Sequence, residues 1–388
     1  MKKIAIFGST GSIGSTLLNI IKKDKKSFNI ILLTANKNYK KLIKQAKIFN
    51  VKNIIITDNT SYLIAIDLLK NTKIKVHKNF NSLNKIFIKN KKIDYSMCAI
   101  SGFHGLKPTL DIIKYTKTIA IANKESIICG WNLIKKDLKK YNTHFIPVDS
   151  EHFSIWSLIK DNKINNFEKI YITASGGPFR KFPIKAFRNI SIKDALKHPN
   201  WLMGKKISID SATMMNKVFE IIEAKKIFNL KYNQLEILVH PKSYLHAIVK
   251  FDNGLSKLLV HDTNMTIPIF NSIYNKDTKK IKSKKINIKV LNNLELTKVN
   301  EIKFPVIKII KKLVEKNTLF ETIIVSANDK LVNLFLNKKI KFIDISNILL
   351  KICNLPEFNK FKQIEPKNLD QINDLADYVS LKIESLGV

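Results

Sequence analysis

Three acidic side chains are positioned in the sequence to bind a cation or to share protons. Asp149 and Glu151 flank Ser150 in the stretch FIPVDSEHFSIW, residues 145–156. In an extended segment, side chains two residues apart project to the same side, so both carboxylates would enter one small space. Glu220, in a later helical run, would supply a third carboxylate if the two segments meet. Their mutual repulsion must be relieved by a cation, a shared proton or water.

The kind of cation follows from the ligand atoms. Oxygen-only ligation with open positions fits Mg²⁺ or Mn²⁺ better than zinc, which prefers His and Cys. Asn216, Lys217 and Glu220 begin a predicted amphipathic helix, and Asn216 and Glu220 share a face because they are four residues apart. On spacing alone, a solvated strand end explains Asp149 and Glu151 equally well.

Several groups near these carboxylates in the sequence suit a phosphate. The run TASGGPF offers the Ser175 hydroxyl and the backbone amides of Gly176 and Gly177, which together make a candidate anion nest. A hydroxyl, an amide and a positive charge follow in the next conspicuous motif, at Ser211, Asn216 and Lys217.

A loop between two ordered stretches, HPNWLMGKK, contains His198, Trp201 and Met203. A loop that carries an exposed Trp and Met can close over a bound ligand and exclude water. The competing interpretation is that Trp201 is a core anchor, the usual role of a single Trp.

The amino-terminal run IAIFGSTGSIGSTLLNII places Gly8, Gly11 and Gly14 between a predicted strand and a predicted helix. Glycines at such a turn let the backbone approach a pyrophosphate, which then sits at the positive end of the helix. The context favours a dinucleotide site over a glycine-rich turn without a ligand.

The end of the second predicted strand indicates which nucleotide binds. An NAD site usually has Asp or Glu here, on the ribose 2′-hydroxyl. This chain has Asn36, Lys37 and Asn38 instead. The missing acid and the lysine between two amides favour NADPH over NADH.

Composition restricts the classes of function. The chain has 68 basic and 31 acidic residues and a net charge of +37, but Arg180 and Arg188 are its only arginines. Lysines spread over the whole chain are typical of AT-rich codon usage and favour that explanation over nucleic-acid binding, which relies on concentrated Arg.

Three widely separated cysteines predict neither a disulfide framework nor a zinc site. The first apolar run is too short for a signal peptide, so we expect a cytoplasmic location, and no run is long enough to span a membrane.

Hydrophobic patterns predict an α/β fold. Short apolar strands alternate with amphipathic helices in the first half, which indicates a parallel sheet. Further strand-like runs after residue 150 suggest a second, more antiparallel sheet, and helix-period patterns dominate the end of the chain. Residues 275–300 are lysine-rich and poorly periodic, as in a connecting arm.

Taken together, the motifs closely resemble the 1-deoxy-D-xylulose 5-phosphate reductoisomerase family over essentially the whole chain. The resemblance rests on GSTGSIG at 8–14, ANKES at 122–126, PVDSEH at 147–152, SGGPF at 175–179, HPNW at 198–201 and DSATMMNK at 210–217. It implies an NADPH- and divalent-metal-dependent enzyme (Mn²⁺, Mg²⁺ or Co²⁺) that rearranges and reduces 1-deoxy-D-xylulose 5-phosphate to 2-C-methyl-D-erythritol 4-phosphate. This reaction belongs to the non-mevalonate route to isoprenoid precursors.

The resemblance also implies roles for individual residues. The metal ligands would be Asp149, Glu151 and Glu220, and the catalytic residues would be these three and Lys124. The sugar phosphate would contact the metal ligands Glu151 and Glu220 and also Lys124, Ser150, Ser175, His198, Ser211, Asn216 and Lys217. The NADPH-binding site would be lined by Thr10, Gly11, Ser12, Ile13, Asn36, Lys37, Asn38, Asn123, Glu125 and Gly204.

The family's architecture predicts four parts and a homodimer. We expect a Rossmann-like NADPH-binding domain over 1–149, a central α+β catalytic domain with the dimer contacts over 150–274, the arm over 275–300, and a helical domain over 301–388. A lid would cover about 175–206. The chain departs from the family pattern at Asn36, commonly Gly, and at Asp329, usually Glu.

Three alternatives remain at this stage. NADP-dependent semialdehyde or acyl-phosphate dehydrogenases share the glycine turn but need a nucleophilic Cys, and Cys98, Cys129 and Cys353 lie in apolar or helical runs. A basic nucleic-acid-binding protein with a nucleotide fold is the second. An inactive relative is the third, although the motifs are intact.

Overall fold

The computed structural model describes residues 1–87, 91–160, 166–201, 203–274 and 279–387. The chain forms two compact units, each built around its own sheet. The first unit comprises Met1–Ser126, Leu133–Asp149 and Met265–Ile281. The second comprises Ile127–Asn132, Ser150–Asn264 and Lys282–Val388.

A seven-stranded sheet, parallel throughout, forms the centre of the first unit, in the order β4-β3-β2-β1-β5-β6-β7. Its strands are β1 Lys2–Phe7, β2 Phe28–Ala35, β3 Asn53–Ile56, β4 Lys75–His77, β5 Ile93–Cys98, β6 Thr116–Ile121 and β7 His144–Pro147. The central strands are buried almost continuously because helices cover a parallel sheet on both faces. The predicted Rossmann-like fold is confirmed.

Seven helices among the described residues belong to this unit wholly or in part. They are α1 Ser12–Lys22, α2 Tyr39–Ile48, α3 Asn59–Leu69, α4 Leu83–Ile86, α5 Leu106–Ile113, α6 Lys124–Lys140 and α11 Thr266–Ile273. The last of these reaches the unit from far along the chain: Ile269 and Ile273 join the core of the sheet, and Ser272 Oγ lies 2.7 Å from Tyr95 Oη. The structure therefore divides the chain differently from the predicted boundary at 274, because apolar packing assigns Met265–Ile281 to the first unit.

The stretch that carries Asp149 and Glu151 is not extended, so that prediction is wrong. Strand β7 ends at Pro147, and helix α7, Ser150–Ile159, begins three residues later. Residues Ser150–Ile155 are all buried, and a helix that packs against a sheet strand buries such a run without needing two-residue alternation. The Ser154 hydroxyl donates to the Ser150 carbonyl at 2.6 Å, one helical turn back.

The second unit contains a five-stranded mixed sheet in the order β11-β10-β8-β9-β12. Its strands are β8 Phe167–Ala174, β9 Leu235–Val239, β10 Leu245–Phe251, β11 Ser256–Val260 and β12 Thr297–Lys298. All pairings are antiparallel except that of β8 with β9. The predicted second, more antiparallel sheet is confirmed.

Helices surround this sheet and dominate the carboxyl-terminal part. They are α7, α8 Ile192–Ala195, α9 Lys205–Thr213, α10 Met215–Phe228, α12 Ile288–Leu291, α13 Phe320–Leu336, α14 Phe342–Ile352 and α15 Leu369–Ser385. Helix α13 packs against α14 and α15, which gives the predicted helical domain. Part of the predicted arm, 275–278, lies outside the described residues, and the rest contains α12 and β12. Where the chain is described, no helix is long and apolar enough to cross a bilayer.

We predict that Gly14→Ala destabilises the first unit, because a Cβ there would lie 2.5 Å from the Gly8 carbonyl oxygen and from Ser9 Cα. Backbone atoms cannot move aside, so the free energy of unfolding should fall by about 1–3 kcal/mol. Gly11→Ala is the matched control, since its Cβ would meet the Gly8 oxygen at 3.4 Å. Urea unfolding of both variants measures the difference, and equal losses would contradict the close helix–strand approach.

Candidate active site

The glycine turn between β1 and α1 has the geometry of a phosphate cradle. Gly8 adopts φ +78°, and a Cβ there would lie 2.6 Å from the Ala99 carbonyl oxygen. Gly11 is the N-cap of α1 and offers no side chain to occupy the helix end. The first-turn amides at Ser12 and Ile13 therefore face outward with the positive end of the helix dipole, as an anion site requires.

The end of β2 presents the three predicted cofactor residues on the surface. Asn36 Nδ2 donates to Thr57 Oγ1 at 2.8 Å, and Asn38 Oδ1 caps α2 by accepting from the Lys41 amide at 3.2 Å. Lys41 Nζ in turn donates to the Thr10 carbonyl at 2.8 Å. This bond holds the Lys41 ammonium group beside the glycine turn. Sequence reasoning missed Lys41; its position three residues after a capping Asn was the available signal.

Asn123 has a structural task besides its predicted cofactor role. Its side-chain NH₂ donates to the carbonyls of Ile100 and Gly102, and its Oδ1 caps α6 by accepting from the Ser126 amide. The side-chain donors are therefore both used within the protein. Glu125 is buried in the first turn of the same helix. Gly204 belongs to the second unit, where it is the N-cap of α9.

The three predicted metal-binding carboxylates come together. Asp149, Glu151 and Glu220 each offer one oxygen, and these oxygens all lie within 4.8 Å of one another. Asp149 follows β7 and is joined to Glu151 through Ser150, so the strand end and the first turn of α7 set their separation. Glu220 is 1% exposed on α10. Such a buried group of carboxylates requires positive charge nearby.

Two lysines supply that charge. Lys124, at the start of α6, pairs with Asp149, and Lys217, on α10, pairs with both Glu151 and Glu220. Burial alone would lower the pKa of Lys217, but the attraction of Glu151 and Glu220 outweighs it and raises this pKa. Lys217 was predicted to bind phosphate; in the structure its ammonium group contacts the carboxylates.

The remaining polar atoms of the group are held in place by short local bonds. Asn216 donates to Glu220 one turn along α10, as their spacing predicted, and the Ser150 hydroxyl donates to Glu151. His152 Nε2 lies 2.9 Å from the Glu220 backbone carbonyl oxygen and thereby connects α7 with α10. The three carboxylates fit a hard divalent cation, because oxygen atoms alone make up the donor set.

The predicted anion nest lies in a turn with left-handed backbone. Gly176 and Gly177 adopt φ +82° and +68°, and a Cβ on Gly177 would lie 2.8 Å from the Ser211 carbonyl oxygen. Ser175 Oγ accepts from the Gly177 amide at 3.1 Å. The Gly177 amide is therefore used within the loop, and left-handed backbone at both glycines makes a tight turn that lies against Ser211. The nest and the start of the DSATMMNK motif are therefore adjacent.

His198 completes this nest. Its Nδ1 accepts from the amides of Asn200 and Trp201 at 3.1 and 2.9 Å, so the ring proton is on Nε2, which donates to Ser175 Oγ at 3.1 Å. The Ser175 oxygen thus accepts twice, and its own proton is directed to a further acceptor. Burial, aided by repulsion from Lys217, lowers the pKa of His198 to about 4.

Trp201 is half-buried, and its ring meets the edge of His246 with a centroid distance of 6.1 Å. His246 is stacked on His261 at 3.6 Å. Burial, followed by repulsion from His261, lowers the pKa of His246 to about 3. Sequence reasoning missed this histidine pair, although both residues lie at the ends of apolar strand-like runs.

The three cysteines are buried thiols. Burial raises the pKa of Cys98 and that of Cys353 to about 12, and Cys129 is 1% exposed. A thiol is nucleophilic as the thiolate, so these residues do not suit the Cys-dependent dehydrogenase alternative.

We predict a loss of stability in acid that depends on His246. The folded protein keeps this ring neutral down to a pKa of about 3, whereas the unfolded chain protonates it near 6.5. Stability therefore falls as the pH is lowered below about 6.5. His246→Phe should reduce that fall by about 1 kcal/mol per pH unit between pH 6 and 4. Urea unfolding across this range measures how the free energy of unfolding depends on pH. His104→Phe, at an exposed position, is the control. The same pH dependence in His246→Phe and in the wild type would contradict the prediction.

Comparisons with known proteins agree with this geometry. Models of 1-deoxy-D-xylulose 5-phosphate reductoisomerase and its C-terminal domains match residues 4–130, 145–228 and 261–379. The reductoisomerase of Pelagibacter ubique (strain HTCC1062) is 78% identical over 388 residues, with 100% of both chains covered.

Solved structures are similar along the whole chain. The Zymomonas mobilis reductoisomerase in complex with NADPH is 30% identical, with a TM-score of 0.88 and coverage of 99% of this chain and 98% of that one. A reductoisomerase in complex with NADPH, fosmidomycin and magnesium is 29% identical, with a TM-score of 0.91 and the same coverage. The resemblance inferred from the motifs is confirmed: the chain belongs to the 1-deoxy-D-xylulose 5-phosphate reductoisomerase family.

Proposed function

We propose that the chain converts 1-deoxy-D-xylulose 5-phosphate to 2-C-methyl-D-erythritol 4-phosphate by rearrangement and reduction, with NADPH and a divalent metal. The observation that carries the proposal is the group of three carboxylates within 4.8 Å of one another. Lys217 connects this group to the phosphate nest, because it pairs with two of the carboxylates and repels a proton on His198. The 78% identical relative bears the name of this activity.

Asp149, Glu151 and Glu220 would hold Mg²⁺, Mn²⁺ or Co²⁺. Such an ion polarises carbonyl and hydroxyl oxygens and stabilises negative charge on them as carbon–carbon bonds break and form. Lys124 and Ser150 lie beside these ligands and would bind the sugar backbone. Lys124 would also donate a proton to a substrate oxygen or stabilise negative charge on it. The related structure that contains magnesium supports this assignment.

The phosphate end of the substrate would bind the nest. The Ser175 proton, already directed outward by its two donors, would bond a phosphate oxygen, and neutral His198 would keep that hydroxyl oriented. Ser211, Asn216 and Lys217 would complete the contacts. Because the phosphate is remote from the reacting carbons, its binding energy would serve positioning and closure of the predicted lid over about 175–206.

NADPH would bind at the glycine turn, with its pyrophosphate at the start of α1. The 2′-phosphate would meet the polar end of β2, where Asn36, Lys37 and Asn38 are exposed and stand in place of the acid that an NAD site usually has. Thr10–Ile13, Asn123, Glu125 and Gly204 would contribute as the family resemblance implies. NADPH in the related complexes supports the choice of cofactor.

The assembly would be a homodimer formed through the central domain. Strand β11 is an edge of the second sheet, and its Leu258 and the preceding Leu255 are 47% and 59% exposed. Unpaired edges with apolar side chains favour pairing with another copy.

The domain limits would be 1–149, 150–274, 275–300 and 301–388, with Met265–Ile281 packed into the first unit. Buried cysteines in thiol form support a cytoplasmic location.

The decisive experiment follows NADPH absorbance with purified protein and 1-deoxy-D-xylulose 5-phosphate, first with Mn²⁺ or Mg²⁺ and then with chelator. We expect turnover to require both substrate and metal. Glu220→Gln should lower kcat at least about 10³-fold, because it removes a metal ligand from a buried group. Glu236→Gln, which disturbs only a surface pair with Lys169, is the control. Folded wild-type protein without turnover would overturn the proposal.

A second variant tests the phosphate nest. Ser175→Ala removes the proton that we assign to a phosphate oxygen, so KM for the substrate should rise about 10- to 100-fold. KM for NADPH should change little. Initial rates at varied substrate and cofactor concentrations separate the two constants, and an unchanged substrate KM would contradict the assignment.

A further inference from the structure

A polar cluster lies where helix α9 meets the helical domain. It consists of Lys206 and Asp210 on α9 with Asn328 and Asp329 on α13. Lys206 Nζ lies 3.1 Å from Asp210 Oδ2 and 2.9 Å from Asp329 Oδ1. Asn328 Nδ2 donates to Asp210 Oδ1 at 2.8 Å. One ammonium group and one amide therefore tie the two helices together at two points.

The cluster is not a surface ion pair. Asp210 is 2% and Asn328 0% exposed, and the Lys206 side chain is 26% exposed. Exposed pairs contribute little because water competes for both partners, whereas a buried carboxylate strongly needs its donors. The Lys206 ammonium also lies 5.1 Å from the centre of the Phe219 ring, on α10. Three helices thus meet at one side chain.

Helix α9 needs such an anchor. It has only nine residues, and isolated helices of that length are unstable in water. At its carboxyl end Met214 adopts a left-handed conformation, φ +68°, and α10 begins directly afterwards. A non-glycine residue in this conformation persists only where the surroundings enforce it.

The position of α9 sets the position of a substrate residue. Ser211 lies on its last turn, one residue beyond Asp210, and the Ser211 carbonyl is packed against Gly177 of the nest. A rotation or shift of α9 would carry the Ser211 hydroxyl away from the nest. The contacts of the cluster given above join α9 to α13 and α10, so it would act through the helix.

We infer that Lys206 and Asp329 are positioning residues, through which the helical domain holds α9 so that Ser211 meets the phosphate. The role of Ser211 rests on the proposed function, whereas the anchoring of α9 does not. Asp329, at which the chain departs from the family pattern, keeps a carboxylate 2.9 Å from Lys206.

The test uses Lys206→Met and Asp329→Asn, which keep side-chain size, in the full-length protein. Lys330→Met is the matched control, because it breaks the pair of the neighbouring Lys330 with Glu384 on α15 and leaves α9 untouched. Hydrogen exchange of residues 206–213, calorimetric binding of inorganic phosphate, and KM and kcat for the sugar phosphate are measured for each variant.

In both test variants, exchange over 206–213 should accelerate about tenfold, phosphate affinity should fall about fivefold, and substrate KM should rise about tenfold with kcat within about threefold. Lys206→Arg and Asp329→Glu should restore KM to within about threefold of the wild type, and Lys330→Met should match it.

Unchanged exchange over 206–213 would overturn the anchoring. Faster exchange with unchanged phosphate affinity would overturn the positioning role. Equal effects of Lys330→Met would also overturn it, because the changes would then reflect a general loss of stability. If the wild type binds phosphate but has no turnover, the proposed function fails, while exchange and phosphate binding still decide this inference.

Discussion

The repulsion between three converging carboxylates is the constraint on which the rest of the site depends. Asp149, Glu151 and Glu220 approach within 4.8 Å, and only nearby positive charge makes this arrangement tolerable. Lys124 and Lys217 provide it from two helices. The two ammonium groups offset most of the negative charge of the three carboxylates, so the positions of the lysines and of the carboxylates are coupled through charge.

This balance accounts for the unusual character of α10. The helix is buried on nearly every face, yet it contains Lys217, Glu220, Glu223 and Lys226. A helix with charged residues throughout its interior is stable only if neighbours pair with them. The charges are paired on either side, toward the carboxylates and toward α13, where Lys226 lies 3.5 Å from Glu321. Residues that pair with the carboxylates and a residue that pairs with the helical domain thus share one helix.

Much of the fold follows from local sequence. The first two strands were predicted before the glycine turn and before Asn36, and β1 and β2 lie there because largely apolar runs end at turn-forming residues. The glycine turn and the candidate nest were predicted from residue types, whereas Glu220 was joined to Asp149 and Glu151 only through the family resemblance. The helix after Asp149 was not, because uniformly buried residues give no two-residue or helical period. The pairing of Lys217 with carboxylates also escaped prediction, since it depends on two segments 66 residues apart in the chain.

Helix α11 has a consequence for biosynthesis. The first unit is interrupted after Asp149 and continues at Met265. All strands of its sheet are therefore synthesised long before helix α11, which covers part of that sheet. Ile269, Ile273 and Tyr274 belong to the same apolar core as Leu17 and Leu18. At ribosomal rates of about 5–20 residues per second, this apolar surface stays uncovered for roughly 10 s. A nascent chain with such a delay is a natural client for chaperones, and a fragment ending at residue 149 would retain the exposed surface permanently.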